Sequence, residues 1–162
     1  MKPIDEALIE VVCGEVAELD ASTLAAQMEA LGQSQPNLLA FVIANCESLS
    51  SETAELGVYV FFVAYKIFER AAGVRLREVA GNLLSAAEER TEELLDAAED
   101  AADGLFESVV EAEFSIQPEI IRTVAEILET YGEEGETKLA EEEKWLLFAV
   151  LNTVVDVLDS AS

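Results

Sequence analysis

The chain has 162 residues, of which 51% are hydrophobic, and its 34 acidic residues against nine basic ones give a formal charge of −25. This length fits one compact domain or two very small ones, and the apolar content excludes a disordered acidic tail. The negative charge would repel phosphate backbones and anionic membrane surfaces, so direct nucleic-acid and membrane partners are excluded. A basic protein surface or divalent cations remain as partners, unless the charge serves only solubility.

The first two helices are predicted from local start and stop signals. Pro3 fits the first turn of a helix, where its missing N–H costs nothing, and apolar residues follow it at helical spacing. Asp20 or Ser22 is suited to cap a short second helix over residues 23–31. Gly32 would then end that helix.

The next two helices surround the most apolar part of this half. A third helix is predicted over residues 36–46, begun by proline, and Ser50 or Ser51 caps a fourth helix that ends at Gly73. The segment VYVFFV inside the fourth helix has strand-like composition, but no other segment of that kind offers a pairing partner. Its apolar character on nearly all sides therefore predicts a central, buried helix.

The second half of the chain predicts four more helices. A long helical pattern covers residues 76–102, a short helix follows over 105–114, and a proline opens another over 118–132. Thr137 is suited to cap a last helix over 137–158, which is apolar nearly all round. The fold class predicted is all-α, with about eight helices.

An internal repeat relates residues 1–74 to residues 75–162. Gln35-Pro36 matches Gln117-Pro118 at an offset of 82, and apolar residues recur at the same positions after each pair. Eight extra residues around 133–140 then raise the offset to 90, at which the two most apolar helices align. Chance matching of amphipathic helices is the alternative explanation, but the order of helix types favours a tandem duplication.

This repeat predicts how the helices are arranged. We expect one all-helical domain over residues 1–162, a duplicated four-helix unit in which the two apolar helices pack against each other. Phe61 and Leu151 should then both be buried near the centre.

The chemistry of the chain is limited by its lack of histidine. Triads based on histidine, zinc motifs and the usual di-iron sites are excluded, and no glycine-rich phosphate-binding loop or EF-hand loop is present. Acidic runs at 88–103 and 133–143 could hold Mg²⁺ or Ca²⁺, but such runs are usually solvated helix faces. We therefore predict no catalytic residue, no cofactor and no metal site, and expect that the protein is not an enzyme.

The two cysteines are expected to be inert. In the repeat, Cys13 falls opposite Leu95 and Cys46 falls opposite Leu128. A thiol that exchanges with leucine is a small core hydrophobe, so both should resist thiol reagents in the folded state.

Lys66 interrupts the apolar fourth helix. It either extends its ammonium group to the surface or pairs with a carboxylate. Asp156, which occupies the equivalent position in the repeat, is the candidate partner.

An acidic helix face is the candidate partner-binding surface. Between residues 88 and 103 like charges recur four residues apart, and each such pair costs roughly 0.2–0.5 kcal/mol on an exposed helix. A basic partner would relieve this repulsion. The residues predicted to form the face are Glu88, Glu89, Glu92, Glu93, Asp96, Glu99, Asp100 and Asp103.

Three functions follow from these observations. The leading prediction is a non-enzymatic helical protein that acts by binding another protein. The alternatives are an acidic mimic of nucleic acid that occupies a basic nucleic-acid-binding protein, and a bundle that binds a small molecule or a divalent cation. The acidic N-terminal segment does not resemble a secretory signal, and the longest apolar run is ten residues where a span needs about 20, so a cytoplasmic location is expected.

Overall fold

The computed structural model describes residues 2–99, 117–134 and 139–161, and all regular structure in these ranges is α-helical. The predicted all-α class is therefore confirmed. Seven helices occur in the described ranges, and the short helix predicted over 105–114 lies outside them. The helices are α1 (Glu6–Glu18), α2 (Ala21–Ser34), α3 (Pro36–Cys46), α4 (Ser51–Ala72), α5 (Gly81–Glu99), α6 (Pro118–Glu134) and α7 (Glu141–Ala161).

The two most apolar helices, α4 and α7, pack against each other at the centre. Phe61 in α4 and Leu151 in α7 are both fully buried, as the sequence predicts, and VYVFFV is helical. A Cβ atom on Gly57 would lie 2.9 Å from Cδ2 of Leu147. The missing side chain at Gly57 thus lets α4 approach α7 closely.

The other helices cover the remaining sides of this pair. α1 and α3 pack on α4, while α5 and α6 pack on α7. α1 also contacts α6, and α3 contacts both α5 and α7. The result is one hydrophobic core to which every described helix contributes buried residues.

Local signals predict the bounds of α3 and α4 correctly. Pro36 is the first residue of α3. The backbone N–H of Thr53 donates to the Ser50 hydroxyl at 3.3 Å, which caps α4. Gly73 ends α4 with a φ of 69°, a left-handed conformation that favours glycine, and its N–H donates to the Glu69 carbonyl.

The predicted end of α2 at Gly32 is wrong. Asp20 caps the helix, accepting a hydrogen bond of 2.7 Å from the Thr23 N–H, but α2 continues past Gly32 to Ser34. A Cβ atom at Gly32 would lie 2.9 Å from a methyl carbon of Leu39 in α3. This glycine therefore permits close packing of α2 on α3 and does not end the helix.

Three predicted helix starts are also wrong. Pro3 is not in a first helical turn, because α1 begins at Glu6, where the Asp5 carboxylate caps it. The long fifth helix begins at Gly81 and not at Leu76, and the last helix begins at Glu141 and not directly after Thr137. In all three places the described residues just before the helix are not helical.

A buried glutamine explains the extended segment before α1. The Gln117 side chain is fully buried. Its Oε1 accepts from the Ile4 N–H at 2.8 Å, and its Nε2 donates to the Lys2 carbonyl at 3.2 Å. Pro3 lies between these two residues, where no N–H is required. The same Nε2 donates to the Asp159 carboxylate at 2.8 Å, which fastens the segment to α7.

Gln35 holds the segment before α5 with the same pair of hydrogen bonds. Its Oε1 accepts from the Val79 N–H at 2.9 Å, and its Nε2 donates to the Arg77 carbonyl at 2.8 Å. Asn37 donates to the Val79 carbonyl at 2.9 Å. Because these backbone groups bond to side chains of α3 and its cap, they are not available to a helix. We call the two arrangements glutamine clasps.

Two helix starts and three helix contacts correspond between the two halves, whereas α1 and α5 begin 75 residues apart and not 82. α3 and α6 begin at Pro36 and Pro118, and α4 and α7 begin at Ser51 and Glu141, which reproduces the offsets of 82 and 90. The contacts of α1 with α4, α3 with α4 and α3 with α5 recur as α5 with α7, α6 with α7 and α1 with α6. In the described residues, the contact of α3 with α7 has no counterpart of similar extent between α6 and α4.

Removing either clasp should destabilise the protein. Gln35→Ala and Gln117→Ala each leave a buried backbone N–H and a carbonyl without partners, so we expect losses of about 2–4 kcal/mol in unfolding free energy. Gln33→Ala, at an exposed position of α2, is the control and should change stability by less than ~0.5 kcal/mol. Urea unfolding followed by circular dichroism measures all three. Equal effects at positions 33, 35 and 117 would contradict the role of the clasps.

Candidate functional site

The described part of the predicted acidic face is exposed. On α5 the side chains of Glu88, Glu89, Glu92, Glu93 and Asp96 all lie in solvent. The Glu99 side chain, Asp100 and Asp103 fall outside what the structure describes. The described face therefore consists of five carboxylates, which we call the α5 acidic face.

The α5 acidic face points outward because the opposite side of α5 is buried against α7. Leu84 is 6% exposed and Ala87 is fully buried. Like charges lie four residues apart at Glu88 and Glu92, on one side of the helix.

The one basic residue within the face bonds inward. Arg90 reaches Asp156 of α7, with 4.0 Å between its Nε and the carboxylate. It is therefore engaged with the helix beneath the face while the acidic side chains stay exposed.

The carboxyl of Asp156 on α7 has a pKa above its ordinary value. Burial raises the pKa of its carboxyl, the Arg90 guanidinium lowers it by less, and nearby Asp159 raises it further. Asp159 is 7% exposed and accepts the hydrogen bond from Gln117. Two carboxylates therefore share the C-terminal part of α7.

Lys66 does not pair with Asp156. Its ammonium group forms an ion pair of 3.4 Å with Glu69, one turn along α4. The same nitrogen lies 5.6 Å from the centroid of the Phe62 ring. Lys66 and Asp156 thus form ion pairs within their own halves of the chain, Lys66 with Glu69 and Asp156 with Arg90.

Lys66 lines a cleft of about 640 Å³ between α1, α2 and the end of α4. Arg70 and Arg75 also line it, so the cleft holds three of the nine basic residues of the chain. Glu15 and Glu69 lie on its walls, and Arg70 forms an ion pair with Glu15. Lys66 is recognisable in the sequence as a charge within an apolar run, whereas the cleft is not.

A second groove of about 710 Å³ lies beside the first half of α4. Met28 of α2 and Tyr59 of α4 line it, with Glu52 and Glu55 at the start of α4. Burial raises the pKa of the Tyr59 phenol, and the charge of Cys13 raises it further. The surface of the groove is mostly apolar.

The cysteines differ in exposure. Cys46 is 3% exposed and Cys13 is half-buried. Burial raises the pKa of both thiols, and Glu10 adds to the effect at Cys13. When α1 and α5 are aligned at their first residues, Cys13 falls opposite Glu88 and not opposite Leu95. The repeat therefore does not explain why Cys13 is half-buried.

Other binding chemistry is limited in the part of the chain that the structure describes. Within residues 2–99, 117–134 and 139–161, no three cysteine or acidic side chains come together as a metal ion would require. No described helix is both long enough and apolar enough to cross a membrane. Comparisons with protein-family models, curated proteins and solved structures found no match.

Replacing Asp156 should make stability less dependent on pH. A carboxyl whose folded-state pKa is raised adds stability below the unfolded pKa of 3.8, and that stability is lost as pH rises through the folded pKa. Asp156→Asn removes the charge, so we expect it to stabilise the fold by more than ~0.5 kcal/mol at pH 7 and to match the parent near pH 3.

Thermal or urea unfolding at both pH values measures this difference. Glu126→Gln, an exposed residue of α6, removes the same charge and is the control. If both variants gain equally at pH 7, lower net charge explains the effect and the environment of Asp156 does not.

Thiol labelling should separate the two cysteines. Because only the thiolate reacts and both pKa values are raised, we expect Cys13 to react at least about tenfold more slowly than a free thiol, and Cys46 more slowly still. Ellman's reagent on Cys13→Ser and Cys46→Ser assigns each rate, with labelling in urea as the reference. Rapid reaction of Cys46 in the folded protein would show that it is not a core residue.

Proposed function

We propose that this protein is not an enzyme and acts by binding a basic protein surface through the α5 acidic face. The observation that carries the proposal is the exposure of all five described carboxylates between residues 88 and 96, on a helix whose other side is buried. Leu83, at the start of the same helix, is 44% exposed and would add an apolar contact.

Repulsion between carboxylates within the face would favour binding of a cationic partner. Three described pairs of like charge lie four residues apart on α5, Glu88 with Glu92, Glu89 with Glu93 and Glu92 with Asp96. Together they cost roughly 0.6–1.5 kcal/mol on an exposed helix. A lysine- or arginine-rich surface removes this cost on binding, and the field of the whole chain speeds association.

A second candidate is a mimic of nucleic acid, and the charge spacing favours it. Five carboxylates within nine residues occupy about 12 Å of helix axis, which is roughly one charge per 2.5 Å. Double-stranded DNA carries about one charge per 1.7 Å of its axis. The natural target of such a mimic is a nucleic-acid-binding protein, which it occupies in place of the nucleic acid.

The proposal extends to the origin of the fold. A tandem duplication of a helical unit is supported by the matching helix starts and by the two clasps. In each clasp, a glutamine just before a helix of one half binds the segment that leads into the first helix of the other half. Gln35 binds the segment before α5, and Gln117 binds the segment before α1. One such unit alone would lack the segment that its glutamine binds.

Neutralising the α5 acidic face should abolish partner capture. The variant changes Glu88, Glu89, Glu92 and Glu93 to Gln and Asp96 to Asn. The matched control changes five exposed glutamates outside α5 to Gln, which are Glu10, Glu18, Glu29, Glu47 and Glu126. Each form is immobilised, exposed to native lysate at 0.15 M salt and eluted in salt steps, and the retained proteins are identified by mass spectrometry.

The pattern across the three forms decides the outcome. Proteins kept by the parent and the control but lost from the face variant are partners of the face, and we expect them to be basic. Equal losses from both variants would mean that net charge alone retains proteins. Release of the retained proteins by added DNA would favour the mimic over a general protein-binding role.

A further inference from the structure

We propose that the cleft between α1, α2 and the end of α4 binds a small organic monoanion with an apolar body. The volume of about 640 Å³ lies within the range of small-molecule sites. This proposal is separate from the α5 acidic face, because no residue of the cleft lies on α5.

The cleft lies where α1 ends. Helices α1 and α5 pack on α4 and α7, and α1 has 13 residues where α5 has 19. The difference of six residues is about 9 Å of helix. α1 ends at Glu18, and the cleft opens beside the last residues of α4, at Lys66, Arg70 and Gly73.

The charges of the cleft select a single negative charge. Lys66, Arg70 and Arg75 supply three positive charges, and two of them are balanced by Glu69 and Glu15. Arg75 is exposed and forms no ion pair with any residue that the structure describes. The net charge of +1 fits one carboxylate or sulfonate, and the guanidinium can bond it through two N–H groups.

The equivalent positions of the second half carry no cation. At the offset of 90, Lys66 corresponds to Asp156 and Arg70 to Ser160. The two cations are therefore not a feature that the two halves share.

The walls of the cleft supply the apolar contacts. The buried residues Val12 and Val16 of α1 form one apolar wall of the cleft, and Leu19 extends this wall. Val74 is 68% exposed at the rim, the most exposed of the large hydrophobic residues described. A bound molecule with an aliphatic or aromatic body would cover Val74 while its charged end meets Arg75.

The total charge of −25 opposes anions at long range, but salt limits this effect. At 0.15 M ionic strength, interactions beyond about 8 Å are largely screened. The charges within the cleft lie closer to its occupant than this distance and keep their effect.

The test uses two probes, the amphipathic sulfonate dye 8-anilinonaphthalene-1-sulfonate and decanoate. The dye is titrated by fluorescence at pH 7.4 and 0.15 M salt, and decanoate or neutral decanol is then added as competitor. We expect saturable binding at one site, displacement by decanoate and little displacement by decanol.

The variants Arg75→Gln and Lys66→Met should each weaken binding at least about tenfold, because the first removes the guanidinium that bonds the anion and the second lowers the net charge of the cleft from +1 to 0. Arg77→Gln is the matched control, an exposed arginine two residues from Arg75 and outside the cleft, and its affinity should stay within about twofold of the parent. Thermal unfolding of each variant confirms that the fold is retained.

Three results would overturn the proposal. The first is no saturable binding of either probe up to about 1 mM, the weakest affinity of interest here. The second is an equal loss of affinity in Arg77→Gln and Arg75→Gln. The third is displacement by decanol as effective as that by decanoate, which would place the dye in an apolar groove such as that beside Tyr59.

Discussion

Two long helices that are apolar on nearly all sides cannot face water, and their mutual burial determines where everything else lies. α4 and α7 span 22 and 21 residues and cover only one side of each other, so the remaining helices have to cover the rest. Burying this surface is the dominant favourable term in folding. The acidic residues are left to the outside, and among the described residues Asp159 is the only acidic one that is buried. The acidic surface is thus partly a consequence of how the apolar residues are distributed.

The parts of the fold that depend on neighbouring residues were predictable. Pro36, the serine cap of α4 and Gly73 act within one helical turn, and they mark helix ends correctly. Predictions failed where a distant side chain decides the conformation. Pro3 and Leu76 precede helices because glutamines far along the chain hold the backbone there, and Gly32 is needed for packing against Leu39. Periodicity within a window of the sequence contains no information about such partners.

The candidate sites divide in the same way. Exposure of the α5 acidic face was predictable, since charged residues four apart on a helix have no low-energy place in a core. The cleft was not, because it depends on where α1 ends relative to α4 and on which carboxylates pair with Lys66 and Arg70. Lys66 is recognisable as a charge in an apolar run, yet of the two alternatives for its side chain the pair with Asp156 is wrong. Correspondence in a repeat relates the positions of residues and not their partners.

The separations of the two clasps along the chain determine an order of assembly during synthesis. The Gln35 clasp joins residues 42 and 44 positions apart, whereas the Gln117 clasp joins residues 113 and 115 apart. The apolar face of α4 that contacts α7 cannot be buried until residues 141–161 have been synthesised. Ribosomes add about 5–20 residues per second. Close to 90 residues separate the ends of the two helices, so this face stays open on the nascent chain for roughly 5–20 s. During that interval, electrostatic repulsion between neighbouring acidic chains opposes their aggregation. The net charge therefore acts before the protein has folded.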